Sequence, residues 1–455
     1  MHERCDGETC REIHEAPGNQ VPADVNVSPS QQVSGEPYSI ETAHLISGVV
    51  NGSIYVSAPE GRQLTYSLYT APSMGSVAVD ASTGAWQYTP TQAARLHAGL
   101  ANGSQTDRFI VAVSSPEFSI DVTVDPTIAP ASFSVHEVPI AGRGNLTGLA
   151  VTENHAYVNA RGRGVIVIDA TTNTVIGEPL SIDGYGYKVA VRPDESHIYV
   201  ATCWPSAGMV LEIYPPTNTV TSIVSVDGYP EDLAVSADGR RIYVVGHPVY
   251  SNQPPGSVTV IDAVSKAVIG EAIPVGHGPL GVAVTPDGAR AYITNGDDGT
   301  LSVIDTATNT VTETIDVGTF PWKIAVGKTP RGVRGYVTMH AEENGSVAVI
   351  DTMANAPVGE PIVVGRLPAG VALSPDGSLL YVANMADPSV SVIDTSTNAE
   401  IVKMYLNPVV DWIAVSPSGS QLFCITGDKV TVMSIVPAEY RFSNDRQRGS
   451  TMKEL

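Results

Sequence analysis

Two textures of hydrophobic and polar positions follow one another along the chain. From Ser39 onward, short alternating runs appear: Ser53–Val56, Leu64–Leu68, Ser76–Val79, Trp86–Thr89, Arg108–Val113 and Ile120–Val124. Turn-formers such as Pro59-Glu60-Gly61 and Ser82-Thr83-Gly84 separate them. Period-two runs bounded by such residues predict strands, and about seven of them in so short a stretch predict a small β-sandwich. From about Leu146 the pattern becomes a long repeat instead. Met1 to about Gly35 and the end beyond Ala438 show no hydrophobic period and read as disordered.

The repeat is anchored by an apolar triplet with a central alanine: Ala150, Ala190, Ala234, Ala283, Ala325, Ala372 and Ala414. These alanines are 40, 44, 49, 42, 47 and 42 residues apart. Such a period suits one four-stranded propeller blade. Pro279–Gly318 is the clearest unit. It predicts an inner strand at Gly281–Thr285, a Pro-Asp-Gly turn, strands at Ala291–Asn295 and Leu301–Asp305, and an outer strand at Thr310–Val317. The seventh unit stops after its third strand, Lys429–Val436. Phe133–Gly142 resembles the outer strands, so Phe133–Ile140 is expected to complete blade seven and close the ring.

The expected fold is therefore all-β, a seven-bladed β-propeller preceded by a small β-sandwich. Its expected divisions are a leader (1–34), the sandwich (35–126), the propeller (127–440) and a tail (441–455).

Two resemblances sharpen this reading. Tyr157-Val-Asn159, Tyr292-Ile-Thr-Asn295 and Tyr381-Val-Ala-Asn384 resemble the motif of the YVTN family of bacterial propellers. So do the Asp-to-Asn turns Asp169–Asn173, Asp305–Asn309 and Asp394–Asn398, while blade three has Ser265-Lys266 where the family has Thr-Asn. Leu64–Arg95 with Thr106–Ser115 resembles the cadherin-like or Ig-like modules of bacterial, especially actinobacterial, surface proteins. Together the resemblances imply an extracellular or cell-surface protein; the start shows no signal peptide, so a cytoplasmic one stays open. The calcium loops of the module family are reduced here to Ser57–Gln63 and Ser114–Glu117, short of the about six to eight oxygens calcium takes.

Charge narrows the partners. A formal net charge of −22 disfavours nucleic acid. No stretch nears the roughly 18 apolar residues of a membrane span. The four cysteines, Cys5, Cys10, Cys203 and Cys424, have no zinc spacing, and no metal or cofactor is expected. Cys5 and Cys10 are close enough in sequence for a disulfide, or belong to a free polar tail. A monomer is expected, with a protein or a cell-wall component as partner.

In propellers of this kind, ligands bind where the loops entering the inner strands meet the ends of the second strands. The repeat maps Lys188, Asp232, Trp322, Lys323, Asp411 and Trp412 to the first group. It maps Trp204, His247, Asn295, Asp297, His340 and Asn384 to the second. Tryptophans there suit stacking on a flat ligand or a partner side chain, or they plug the channel. His247 and His340 with Asp297 suggest a metal or acid–base site, or three solvated loop residues. Lys188, Asp232, Lys323 and Asp411 suggest a ring of ion pairs, or solvated charges. The recurring aspartates Asp169, Asp262, Asp305, Asp351 and Asp394 follow the fold and are expected to serve its turns.

No nucleophile elbow, P-loop, dinucleotide fingerprint or zinc-protease motif occurs. The expected function is a non-catalytic binding or scaffold propeller, with no catalytic residue assigned. The alternative is a lactonase-like hydrolase drawing on His247, His340, Glu231 and Asp411 at the mouth. A redox propeller ranks last, since the tryptophan-docking motif of quinone dehydrogenases and the histidine clusters of copper reductases are absent.

Overall fold

A computed structural model describes residues 25–26, 38–41, 47–56, 63–99, 106–116, 118–140, 145–182, 184–203, 208–217, 219–226, 228–247, 255–343 and 345–437. Cys5, Cys10, Trp204, most of the leader and the tail lie outside the described residues. The chain divides into two compact units, Met1–Ala131 and Ser132–Leu455.

The first unit is a sandwich of two four-stranded antiparallel sheets. One is ordered Val25–Asn26, Phe118–Val124, Phe109–Ser115, Thr65–Thr70. The other is ordered Tyr38–Ile40, Val50–Ile54, Ala85–Pro90, Gly75–Val79. Strict alternation along Ala85–Pro90 buries Trp86, Tyr88 and Pro90. Trp86 meets Phe109 edge-on at 5.3 Å, joining the sheets through one aromatic contact.

One expectation needs correcting here, and one element was not foreseen. Val25–Asn26, assigned to the disordered leader, pairs with Asp121 and Val122 as an edge strand. A helix, Gln92–Gly99, follows the strand ending at Pro90. Thr91 caps it, its hydroxyl accepting from the Ala94 amide at 3.1 Å. The alanine-rich run after a Thr cap was a helix signal that the strand pattern around it obscured.

The second unit is a seven-bladed propeller. Blades one to six run from the inner to the outer strand in chain order. Their inner strands are Leu146–Val151, Tyr185–Val191, Tyr229–Val235, Pro279–Val284, Pro321–Thr329 and Pro368–Leu373. Blade seven takes Val410–Val415, Gln421–Thr426 and Lys429–Pro437, and its outermost strand is Ala131–Pro139. Each inner strand packs on the next, and Val410–Val415 packs on Leu146–Val151, so the ring closes.

The core is divided into wedges between neighbouring blades. Each wedge is keyed by an aromatic from the middle of a second strand. Tyr157 packs with Val189, Ile198 and Val200 of blade two. Tyr292 packs with Ile324 and Val337 of blade five. Phe423 of blade seven packs with Leu149, Val158 and Ile166 of blade one. These rings are at most 2% exposed.

The recurring aspartates are turn caps. Asp305 Oδ1 accepts from the amides of Ala307 (3.0 Å) and Thr308 (2.9 Å), and Asp169, Asp262 and Asp351 do the same. Hydrogen bonding to the carboxylate holds the Asp305 pKa below its ordinary value. Four residues on, the chain turns left-handed: φ is 56° at Asn173, 53° at Asn309, 49° at Asn355 and 57° at Asn398. Asparagine tolerates that region better than most residues. Blade three instead puts Lys266 there, at φ 60°. Its ammonium bonds the buried Glu212 of blade two, which explains the departure from the motif.

Candidate binding site at the channel mouth

Every inner strand carries one extra residue close to its start. The register breaks lie between Leu146 and Leu149, Gly186 and Lys188, Pro230 and Asp232, and Pro279 and Gly281. In the last three blades they lie between Pro321 and Ile324, Pro368 and Val371, and Val410 and Ile413. Such bulges bend a strand and re-aim its side chains. In blades one, five, six and seven, two residues are left opposite one. These pairs are Thr147-Gly148, Trp322-Lys323, Ala369-Gly370 and Asp411-Trp412.

Those same four blades enclose a cavity of about 750 Å³. Thr147, Trp322, Lys323, Asp411 and Trp412 line it from the bulges. His340, Met385 and Asp428 line it from beyond the second strands. The residues expected in loops ahead of the inner strands therefore sit inside those strands, at their bulges. Thr147, Met385 and Asp428 carry no repeat signal, and sequence reasoning passed over them.

On the channel side, one ion cluster spans the ring. Asp232 of blade three lies 3.5 Å from Lys188 Nζ of blade two and 3.0 Å from Lys323 Nζ of blade five. Both ammonium groups also stand over the Trp412 ring of blade seven, at 4.9 and 5.0 Å from its centroid. Cation–π contacts of this kind strengthen as the cation loses water. Burial pushes the Lys323 pKa down, and Asp232 opposes that shift. Three of the four members of the expected charge ring meet here.

Asp411 does not join them. Its Oδ1 is shielded from solvent and has no hydrogen-bond partner. Burial alone pushes its pKa up.

The histidines separate. His340 stacks on Trp322 at 4.6 Å and 21°, with Phe320 beside both rings. Its Nδ1 faces the Pro368 carbonyl at 3.3 Å. His247 Nε2 lies 2.9 Å from Glu231 Oε1 in blade three, and neither residue lines the cavity. Asp297 is exposed in the Gly296–Gly299 turn. The expected grouping of His247, His340 and Asp297 is therefore not assembled. Among the described residues, no three His, Cys, Asp or Glu side chains are grouped to hold a metal.

Asn295 and Asn384 are also corrected: both are fully buried and serve the blades. Asn295 accepts from the Gly276 amide and donates to Thr300 and Ser302. Asn384 makes the equivalent bonds to Gly365, Ser389 and Ser391. The neighbouring Thr294 donates at 2.8 Å to the Trp322 carbonyl, fixing the bulge of the next blade. Thr338 likewise donates at 3.1 Å to the Ala369 carbonyl, so blades four and five each position the bulge of the next blade.

The architecture defines a seven-bladed β-propeller whose mouth is an aromatic and acidic cup. Over 133 residues the chain is 35% identical to the seven-bladed beta-propeller protein Rv1057 of Mycobacterium tuberculosis (strain ATCC 25618 / H37Rv). The match covers 28% of this chain and spans about a third (33%) of that curated relative. Among solved structures, the chain is similar to a chain of the Kuenenia stuttgartiensis hydrazine synthase, at TM-score 0.55 and 19% identity. That likeness covers 65% of this chain and 97% of the other, and it is one of fold. A comparison with protein-family models gives no match. Among the described residues, no helix is long and apolar enough to cross a membrane.

Proposed function

We propose that this chain is a non-catalytic binding propeller, exported or held at the cell surface, that takes its ligand or partner at the mouth formed by blades one, five, six and seven. The observation that carries the reading is the cavity of about 750 Å³ lined by Trp322, Trp412 and Asp411, whose Oδ1 accepts no hydrogen bond. Concave sites of this size with apolar walls and few polar groups are where proteins bind small ligands or anchor side chains. Two of the cavity's groups able to do acid–base work are engaged elsewhere, Lys323 with Asp232 and His340 with Trp322 and Pro368, which leaves the carboxylates of Asp411 and Asp428. The surface placement follows from the resemblance of the sandwich to secreted modules.

A thermal-shift screen of the whole chain against amines, sugars, lactones and quinones tests this. A ligand of the native state raises the melting temperature with its occupancy. The expected hit loses its shift in Trp322→Ala. Hits indifferent to that change would refute a mouth site.

Lactonase-like hydrolysis is a second reading, favoured by the 2.9 Å contact of His247 with Glu231. Turnover of a lactone or ester that disappears in His247→Asn would replace binding with catalysis.

A further inference from the structure

We infer that the mouth cavity selects an organic cation, a protonated amine or guanidinium on an apolar or flat body, with Asp411 as its counter-ion. This rests on the binding reading above and names its ligand class.

The argument starts from the charge left over. Asp411 Oδ1 is out of contact with solvent, accepts no hydrogen bond, and belongs to no ion pair among the described residues. A half-buried carboxylate at a cavity wall, with one oxygen closed off from water and bonded to nothing, is unfavourable, so the site lacks a counter-charge that a ligand in the cavity would bring. The lysines of the channel do not fill that need. Both are drawn to Asp232 and to the ring of Trp412.

The cavity wall then decides the sign and shape of the ligand. Trp322, Trp412 and Met385 supply an aromatic and polarizable lining; Lys323 and His340 of the same wall are held by Asp232 and Trp322, and a second carboxylate, Asp428, stands at the cavity. Aromatic faces beside carboxylates favour cations. An anion would meet two acidic groups. A neutral donor would satisfy the oxygen of Asp411 but leave its charge unmatched. The whole chain, at −22, draws cations toward any opening. The volume, about 750 Å³, leaves room for a body larger than the charged group alone.

The cation has two chemical sources, a free amine or a basic side chain of a bound protein. Isothermal titration of the full chain with benzylamine and with end-blocked Gly-Gly-Lys-Gly-Gly separates them. Benzyl alcohol and the norleucine peptide are the neutral counterparts. At least one cationic probe is expected to bind, and its neutral counterpart to bind about tenfold more weakly or worse. Asp411→Asn, with its fold checked by melting, is expected to weaken the cation by about thirtyfold. Binding of benzylamine alone identifies a small-molecule site, and binding of the peptide alone a side-chain site. Neutral probes binding as well as cations, or an unchanged Asp411→Asn, would overturn the cation inference. Loss of that binding in Trp322→Ala would still uphold the mouth as the site. Silence from all four probes overturns the inference too, and the Trp322→Ala screen then judges the mouth separately.

Discussion

Lys323 Nζ lies 3.0 Å from Asp232 Oδ2, although the two residues belong to blades five and three of the ring. The same ammonium donates to the Leu280 carbonyl of blade four between them. With Lys188 and Trp412 it joins blades two, three, five and seven. Lys323 and Trp412 also line the cavity, so the cluster and the mouth share a wall.

Asp232→Asn should therefore destabilise the propeller by about 3–5 kcal/mol, because it leaves two clustered ammonium groups facing each other. Lys323→Met should cost less, since methionine fills the volume and Lys188 still answers Asp232. In a double-mutant cycle the two changes together should cost less than their sum. Additive effects in urea unfolding would show that the cluster is not a coupled unit.

Asp411→Asn should raise the melting temperature at pH 7. The raised pKa of Asp411 means that the folded state holds the proton more tightly than the unfolded chain does. The penalty on the native protein is present above the folded-state pKa. It fades as pH falls through that value and is gone below the ordinary aspartate pKa. The gain from asparagine should shrink over the same window. Melting curves of both proteins between pH 3 and 8 check this, and a variant less stable at pH 7 would contradict it. A residue that weakens the fold at a cavity wall fits a binding role.

Lys266→Asn should destabilise the protein even though it restores the residue other blades use at the left-handed turn position. The gain in backbone fit is on the order of 1 kcal/mol. Against it stands the loss of the ammonium that Glu212 faces. Glu212 is 4% exposed and also accepts from Thr221 at 2.8 Å. Since the Lys266 side chain is 34% exposed, the net loss is set at about 1–3 kcal/mol. Chemical denaturation measures it, and a stabilised variant would reverse the account of why blade three departs from the motif.

Phe423→Ala should cost about 3–5 kcal/mol, the usual range for emptying a buried aromatic site. Phe423 fills the wedge between the last blade and the first. Its loss should loosen ring closure first, seen as faster amide exchange in Leu146–Val151 and Val410–Val415 than in blade four. Uniform exchange across all blades would argue that closure is not a local weak point.

The fold was legible because a propeller writes its period into the sequence. Tyr292, Asn295, Asp305 and Asn309 each recur for a local reason: a wedge, a tie between strands, a cap and a left-handed turn. Such residues repeat with the blade, so they announce the fold and say nothing of ligands. That is why Asn295 and Asn384 misled as mouth residues. The mouth itself was only partly legible. Trp322, Lys323, Asp411 and Trp412 stood out as departures beside the inner strands. Their aim depends on the bulges, and a one-residue register shift leaves no mark in hydrophobic periodicity. Thr147, Met385 and Asp428 come together only through ring closure, at long sequence separations no local pattern reports.

The strand Ala131–Pro139 lies beside Lys429–Pro437, and across that seam Lys429 Nζ bonds Glu137 at 2.9 Å, a separation of 292 residues. As the polypeptide leaves the ribosome, Ala131–Pro139 emerges before every other strand of the ring and its partner Lys429–Pro437 after all of them. For most of synthesis the earliest strand of the ring is an open edge, the kind that invites pairing with other chains. Six blades can accumulate before the seventh can exist. Premature termination anywhere before Lys429–Pro437 would thus leave an unsealed ring with both ends able to pair with other chains.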